Sequence, residues 1–241
     1  MELFDEKRLA ILRDIRKTFI RIAILCGLVF LSLLYFVKDI LAKLVSIINM
    51  KLILYSLPEA FMSYLKVAFF LSLLIIVPYI IFEITKILGK HSTIGNKFFY
   101  LIIFAGTILF YSGLYFCYIY VLPSGIKFLL QYQTEDIKPM IALSSYISFV
   151  FTFLLVFGIM FELPLIMFIL GRLGFITAKF LNKQRRFFIL INSIVSALLT
   201  PTPDVFNLML MMVPMQILYE LGVVIVYLTG RENLQKKESS V

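Results

Sequence analysis

The chain has 241 residues, of which 61% are hydrophobic and only 15% charged. A soluble domain carries about 45–50% apolar and about 25% charged residues, so this is an integral membrane protein and not a soluble enzyme, a secreted disulfide scaffold or a disordered tail. The net charge of +9, from 23 Lys and Arg against 14 Asp and Glu, would suggest nucleic acid on a soluble domain. Here the basic residues sit at the ends of apolar runs, where they orient a chain in a membrane, and no nucleic-acid partner is expected.

In chain order, Met1–Lys17 is amphipathic and charged and does not resemble a cleavable signal peptide. The first apolar run is Phe19–Val37, with Arg21 near its start placed to snorkel to the headgroups. Lys38–Lys66 reads as an interfacial loop with short helices and contains Leu57-Pro58-Glu59. The second span is Val67–Ile84, and Glu83 near its end suggests an interfacial ion pair with Lys86. A polar link, Lys86–Lys97, holds the chain's one histidine, His91, read as a solvated loop residue. The third span, Phe98–Leu122, stops at Pro123-Ser124-Gly125, and a loop runs from Gly125 to Ser145. The fourth span, Tyr146–Leu170, is interrupted by Glu162 and Pro164, and a basic link, Gly171–Arg186, follows. The fifth run, Phe187–Leu199, has 13 residues. At 1.5 Å per residue that is about 20 Å, short for an unthinned bilayer. After the turn Thr200-Pro201-Thr202-Pro203-Asp204, the sixth span is Asn207–Thr229 and a polar tail closes the chain. No linker or internal repeat divides residues 1–241, so the fold class is an all-α membrane protein of one six-helix domain.

Six spans put both termini on one side. Seventeen Lys and Arg fall on that side and six on the other, which makes it cytoplasmic. Neither of the two cysteines, Cys26 and Cys117, has metal-ligand spacing, and one histidine cannot supply the paired histidines of a helical metalloprotease site. No catalytic residue, metal or cofactor is therefore expected.

Glu162 is the sharpest feature. It lies ten residues before Arg172, about 15 Å inside a straight helix and near the middle of a ~30 Å core. A carboxylate there costs several kcal/mol unless it is protonated, paired or hydrated. Pro164 removes the donor that would meet the carbonyl of Met160. The residues fit either a polar partner site or packing glue between helices. Glu220 and Gln216, one turn apart on one helix face, are open to the same two readings. Pro203 and Asp204 read as a rigid turn in which the acid caps the next helix. A small channel or proton-coupled transporter, with Glu162 as the ion site, is the competing class; the lack of a repeat counts against it.

Several stretches together resemble the TatC family, the multispanning subunit of the twin-arginine protein translocase. They are Leu12-Arg13-Asp14-Ile15-Arg16-Lys17, Leu57-Pro58-Glu59-Ala60-Phe61, Leu109-Phe110-Tyr111-Ser112-Gly113, Phe157-Gly158 with Phe161-Glu162-Leu163-Pro164, Leu199–Asp204, and Pro214 with Leu218-Tyr219-Glu220. The resemblance implies a concave cup of six helices with the last two short, in the cell inner membrane. It implies a receptor for signal peptides bearing paired arginines, and not an enzyme. Its implied partners are TatA- and TatB-type single-span proteins and further copies of itself, with export of folded cargo driven by the proton motive force. By the same resemblance Asp14 and Arg16 belong to the signal-peptide site. Glu162, Gln216 and Glu220 form an intramembrane partner site. Pro58, Glu59 and Phe61 belong to the first exported loop, and Pro203 and Asp204 to the turn. The family supplies a second acid in its first cytoplasmic loop, where Gly95 stands in this chain.

Overall fold

A computed structural model describes residues 2–46, 56–91, 96–130, 142–199 and 205–238. All the extended elements among them are helical. They are α1 (Glu2–Leu33), α2 (Val37–Ser46), α3 (Leu57–His91), α4 (Asn96–Phe116), a π-helical turn (Cys117–Val121), α5 (Leu122–Leu130), α6 (Leu143–Phe161), α7 (Leu163–Arg172), α8 (Ala178–Leu199) and α9 (Val205–Glu238). Among the described residues four stretches are long and apolar enough to cross a membrane: Pro58–Lys90, Phe98–Lys127, Leu143–Arg172 and Leu208–Gly230. Less than half of each is buried inside the protein, and side chains such as Phe104, Tyr115 and Ile159 face outward. That outer surface suits lipid, which a soluble fold could not expose. Helices α1 and α8 have the length, but Arg16, Lys17 and Arg21 in one and Lys179, Lys183, Arg185 and Arg186 in the other shorten their uncharged stretches.

The helix ends differ from those read off the apolar runs. Pro58, Glu59 and Phe61 are not loop residues but the first turns of α3, which starts ten residues before the expected span. Proline fits the first turn, where its missing N–H has no partner to lose, and an acid there suits the helix dipole. His91 is the last residue of α3 and not part of a loop. The third span does not stop at Pro123. The π turn widens the helix just before it, with the Leu122 N–H bonded to the Cys117 carbonyl, and the helix runs on to Leu130. The wider turn gives room for a ring that would otherwise strike the carbonyl four residues back. Helix α8 begins nine residues before the fifth apolar run, and α9 continues through most of the expected tail, because Lys, Arg, Gln, Leu and Glu are good helix formers whatever their polarity.

The chain divides into two compact units, Met1–Thr107 with Leu130–Thr152, and Ile108–Leu129 with Phe153–Val241. In the first, α1 and α3 run antiparallel: Asp14 meets Lys90, Arg21 meets Glu83 and Cys26 meets Ser72. Small buried residues on α3, Ser63, Ala68 and Ser72, let neighbouring backbones approach. Val37 and Leu41 of α2 are buried, and Phe70 stacks on Phe151 with centroids 5.1 Å apart.

In the second unit Gly222 faces Met167 Sδ with no room for a side chain, and two more glycines allow close approaches. A Cβ on Gly113 would lie 2.6 Å from the Phe157 carbonyl oxygen, and one on Gly158 would lie 2.5 Å from the Phe110 ring. Helix α7 packs on α9 through Met167, Tyr219, Val223 and Val226, a cluster completed by Leu181 of α8. The α7–α8 corner is a Schellman turn. The Phe175 N–H bonds the Leu170 carbonyl and the Gly174 N–H the Gly171 carbonyl, with Gly174 at φ +79°. Thr177 then caps α8 through the Phe180 N–H, 3.3 Å from its hydroxyl.

Candidate functional site

In the first unit, charged and polar groups line the end of the α1–α3 seam. Asp14, Thr18 and Arg21 fall at i, i+4 and i+7 on one stripe of α1, and Tyr79 and Glu83 at i and i+4 on α3. Lys90 Nζ lies 2.6 Å from Asp14 Oδ2; the lysine side chain is 64% exposed and the aspartate 25%. One and two turns deeper, Glu83 accepts from three donors: Thr18 Oγ1 at 3.2 Å, Arg21 Nη1 at 3.2 Å and Tyr79 OH at 3.0 Å. The Glu83 side chain is 5% exposed, whereas Arg21 is 51% exposed.

The ion pair expected at Glu83 forms with another partner, and Arg21 takes another course than expected. Arg21 does not reach away to the headgroups but turns to α3. Glu83 pairs with Arg21 and not with Lys86, whose Nζ lies 5.8 Å from the Phe82 ring centroid. The cause is the antiparallel register, which sets Arg21 opposite Glu83 and makes a desolvated carboxylate its strongest acceptor. Arg16, two residues past Asp14, is exposed on another face of α1.

In the second unit Glu162 occupies the joint between α6 and α7. Its N–H bonds the Ile159 carbonyl at 3.1 Å and its carbonyl accepts from Ile166 at 2.9 Å, so the backbone turns tightly there. Pro164 sits in the first turn of α7, as a residue without a donor must. Glu162 Oε1 is buried with no hydrogen-bond partner among the described residues, and so is Gln216 Oε1. The structure does not join Glu162 to Gln216 or Glu220 by any bond among those residues. It does join the latter two: Gln216 Nε2 donates to Glu220 Oε1 at 3.3 Å, and Arg185 Nη2 of α8 reaches Glu220 Oε2 at 2.6 Å.

Of the remaining expected residues, Glu59 Oε1 accepts the Ser144 N–H at 3.3 Å and so caps α6, while Phe61 is exposed. Pro203 and Asp204 lie outside the described residues. Two polar contacts had no advance signal. Lys66 Nζ donates to Ser144 Oγ at 2.6 Å and Ser148 Oγ at 3.1 Å. Asn192, buried in α8, donates to the Met212 carbonyl at 2.9 Å. A lone cation and a lone amide beside apolar runs were the available clues, and neither names its acceptor. Among the described residues no cluster of His, Cys, Asp or Glu is able to hold a metal ion.

The sequence model of the family described as Sec-independent protein translocase protein (TatC) matches residues 10–214. The chain belongs to the TatC family. It is 37% identical to the TatC protein of Carboxydothermus hydrogenoformans over 188 residues, which are 78% of this chain and 77% of that one. It is 31% identical to TatC of Escherichia coli K12 over 221 residues, 87% of this chain and 84% of the relative. A crystal structure described as the twin arginine translocase receptor TatC superposes with a TM-score of 0.81 at 28% identity, covering 91% of this chain and 99% of that one. The protein is thus a multi-pass membrane component of a Sec-independent protein translocase, a class that transports proteins and is not enzymatic.

Proposed function

We propose that this TatC-family chain is the receptor subunit of its translocase and binds signal peptides with paired arginines at the Asp14 end of the α1–α3 seam. The observation that carries this reading is the state of the two seam carboxylates. Glu83 is buried and accepts from three donors, while Asp14 is nearer the surface and its carboxylate meets the exposed Lys90. Arginine presents a planar fork to a carboxylate and makes two parallel charged hydrogen bonds where lysine makes one, which suits Asp14 to a guanidinium. Arg16, exposed on another face of α1, is available to a more distant part of the peptide. With Gly95 at the place of the family's second acid, docking leans on Asp14.

The wider reading has both units forming one domain of six spans in the cell inner membrane, with α1 and α8 supplying the two spans of shorter apolar length and both termini in the cytoplasm. The 17-to-six basic asymmetry supports that orientation. Glu162, with its unpartnered oxygen, offers a bond to a polar group on a TatA- or TatB-type single-span helix, which lipid cannot offer. Gln216 and Glu220 extend that polar surface on α9, self-association completes the complex, and folded cargo crosses at the expense of the proton motive force. The test is site-specific crosslinking from α1 to a twin-arginine signal peptide in membranes. Asp14→Ala is expected to lose most of the crosslink while the protein accumulates normally. An undiminished crosslink in that variant would move the docking site elsewhere.

A further inference from the structure

Asp14 already holds a cation. Lys90 lies at the C-terminal end of α3, one residue before its last, where a positive charge is favoured by the helix dipole. From there it reaches 76 residues back along the chain to place Nζ 2.6 Å from Asp14 Oδ2. Glu83 repeats the arrangement seven residues earlier on α3, about 10 Å along the seam, with Arg21 as its cation. The two pairs differ in how easily they open. Arg21–Glu83 is backed by Thr18 and Tyr79 and removed from water. Lys90–Asp14 is a surface pair, 64% and 25% exposed, of the kind that contributes little to stability and opens readily.

We infer that Lys90 is an internal competitor for the carboxylate of Asp14, which an incoming arginine must displace, and that it sets the binding threshold of the signal-peptide site. The inference rests on the receptor reading above. The exchange is isoelectric: one ammonium leaves Asp14 and one guanidinium arrives, so no net charge moves. The arriving fork gains a second hydrogen bond that the ammonium did not make. The released Lys90 is exposed, so water takes the place of its acceptor. A peptide lysine gains nothing by comparison, since it replaces one ammonium by another. An internal competitor weakens every ligand of Asp14 by the same factor. It therefore leaves the ratio between arginine and lysine peptides unchanged, and pushes the weaker ligand below the concentration at which it binds.

The consequence is measurable with the full-length protein in membranes and two synthetic signal peptides that differ only in Arg-Arg against Lys-Lys. Lys90→Met keeps the apolar stem and removes the charge. It should tighten both peptides by the same factor, about two- to fivefold for an exposed pair. The Lys-Lys peptide should become detectable at a concentration too low for it to register on the parent protein. Lys90→Arg, which can fork onto Asp14 itself, should weaken both peptides by about twofold or more. Lys86→Met removes an equal charge from the same helix, away from Asp14, and should leave both affinities within about 1.5-fold; an equal gain there would mean that general electrostatics and not the pair is at work. Thermal melting of Lys90→Met in detergent should match the parent, which separates competition from damage to α3. If Asp14→Ala abolishes binding yet neither Lys90 variant shifts it, the competitor role is wrong and the receptor site stands. If Asp14→Ala is also without effect, the site itself is wrong.

Discussion

Glu83 in the first unit and Glu162 in the second both sit inside apolar stretches of this protein, and they meet opposite fates. Glu83 is buried in the first unit with three donors on it and a guanidinium among them. Glu162 stands at a broken helix in the second, and one of its oxygens is buried with no partner among the described residues. Burial of a charged group is costly in both places. At Glu83 the cost is offset within the chain, so the residue fastens α1 to α3. At Glu162 no described residue offsets it for one oxygen, so that oxygen keeps a bonding capacity for a further polar group or a proton. Depth in the membrane therefore says little about role until the donors are counted.

Breaking the first of these should hurt the fold most. Arg21→Ala leaves Glu83 buried without its cation and should cost about 3 kcal/mol, the low end for a broken buried pair because Arg21 is half exposed. Chemical or thermal unfolding in detergent would read it as an early loss of the α1–α3 seam, and Glu83→Gln should cost less, since it abolishes the charge that needs pairing. Thr18→Val removes one neutral donor from the same carboxylate. It should cost about 1 kcal/mol by the same assay, and an effect as large as that of Arg21→Ala would show that the hydroxyl and not the ion pair fastens the seam.

Glu162→Ala should be smallest on stability, within about 0.5 kcal/mol, since Oε1 has no hydrogen bond to lose among the described residues. The same variant should lose crosslinking to single-span partners and export of a twin-arginine substrate, with Glu162→Gln milder. If the isolated variant is instead degraded or melts early, Glu162 is packing glue and the contrast between the two carboxylates collapses.

How far these features were legible follows from where their causes lie. The four long apolar spans were plain, because bilayer thickness fixes a run length that composition reveals. Their ends were not. Ala178–Arg186 and the residues after Gly230 are polar yet strongly helix-forming, so polarity marks the edge of the apolar layer and not the edge of the helix. The break at Glu162 and Pro164 was readable because its cause is local. The fate of Glu83 was hidden because its donors Thr18 and Arg21 lie 65 and 62 residues away on another helix. Asn192 was missed for a related reason: its acceptor is a backbone carbonyl, which every residue offers and no sequence pattern singles out.

The π turn at Cys117–Val121 has a consequence for how this stretch tolerates insertion and deletion. It holds one residue more than α-helical spacing needs. Each residue added to a helix rotates everything beyond it by about 100°, so the turn reassigns which side chains of Leu122–Leu130 look inward. Deleting a single outward residue such as Ile119 would restore uniform spacing and a continuous ladder, which on local grounds looks harmless. It would also swing the buried Leu122 toward lipid and bring the ring of Pro123 onto a carbonyl that the wider turn now keeps clear. Here a point substitution is the mild lesion and a one-codon deletion the severe one.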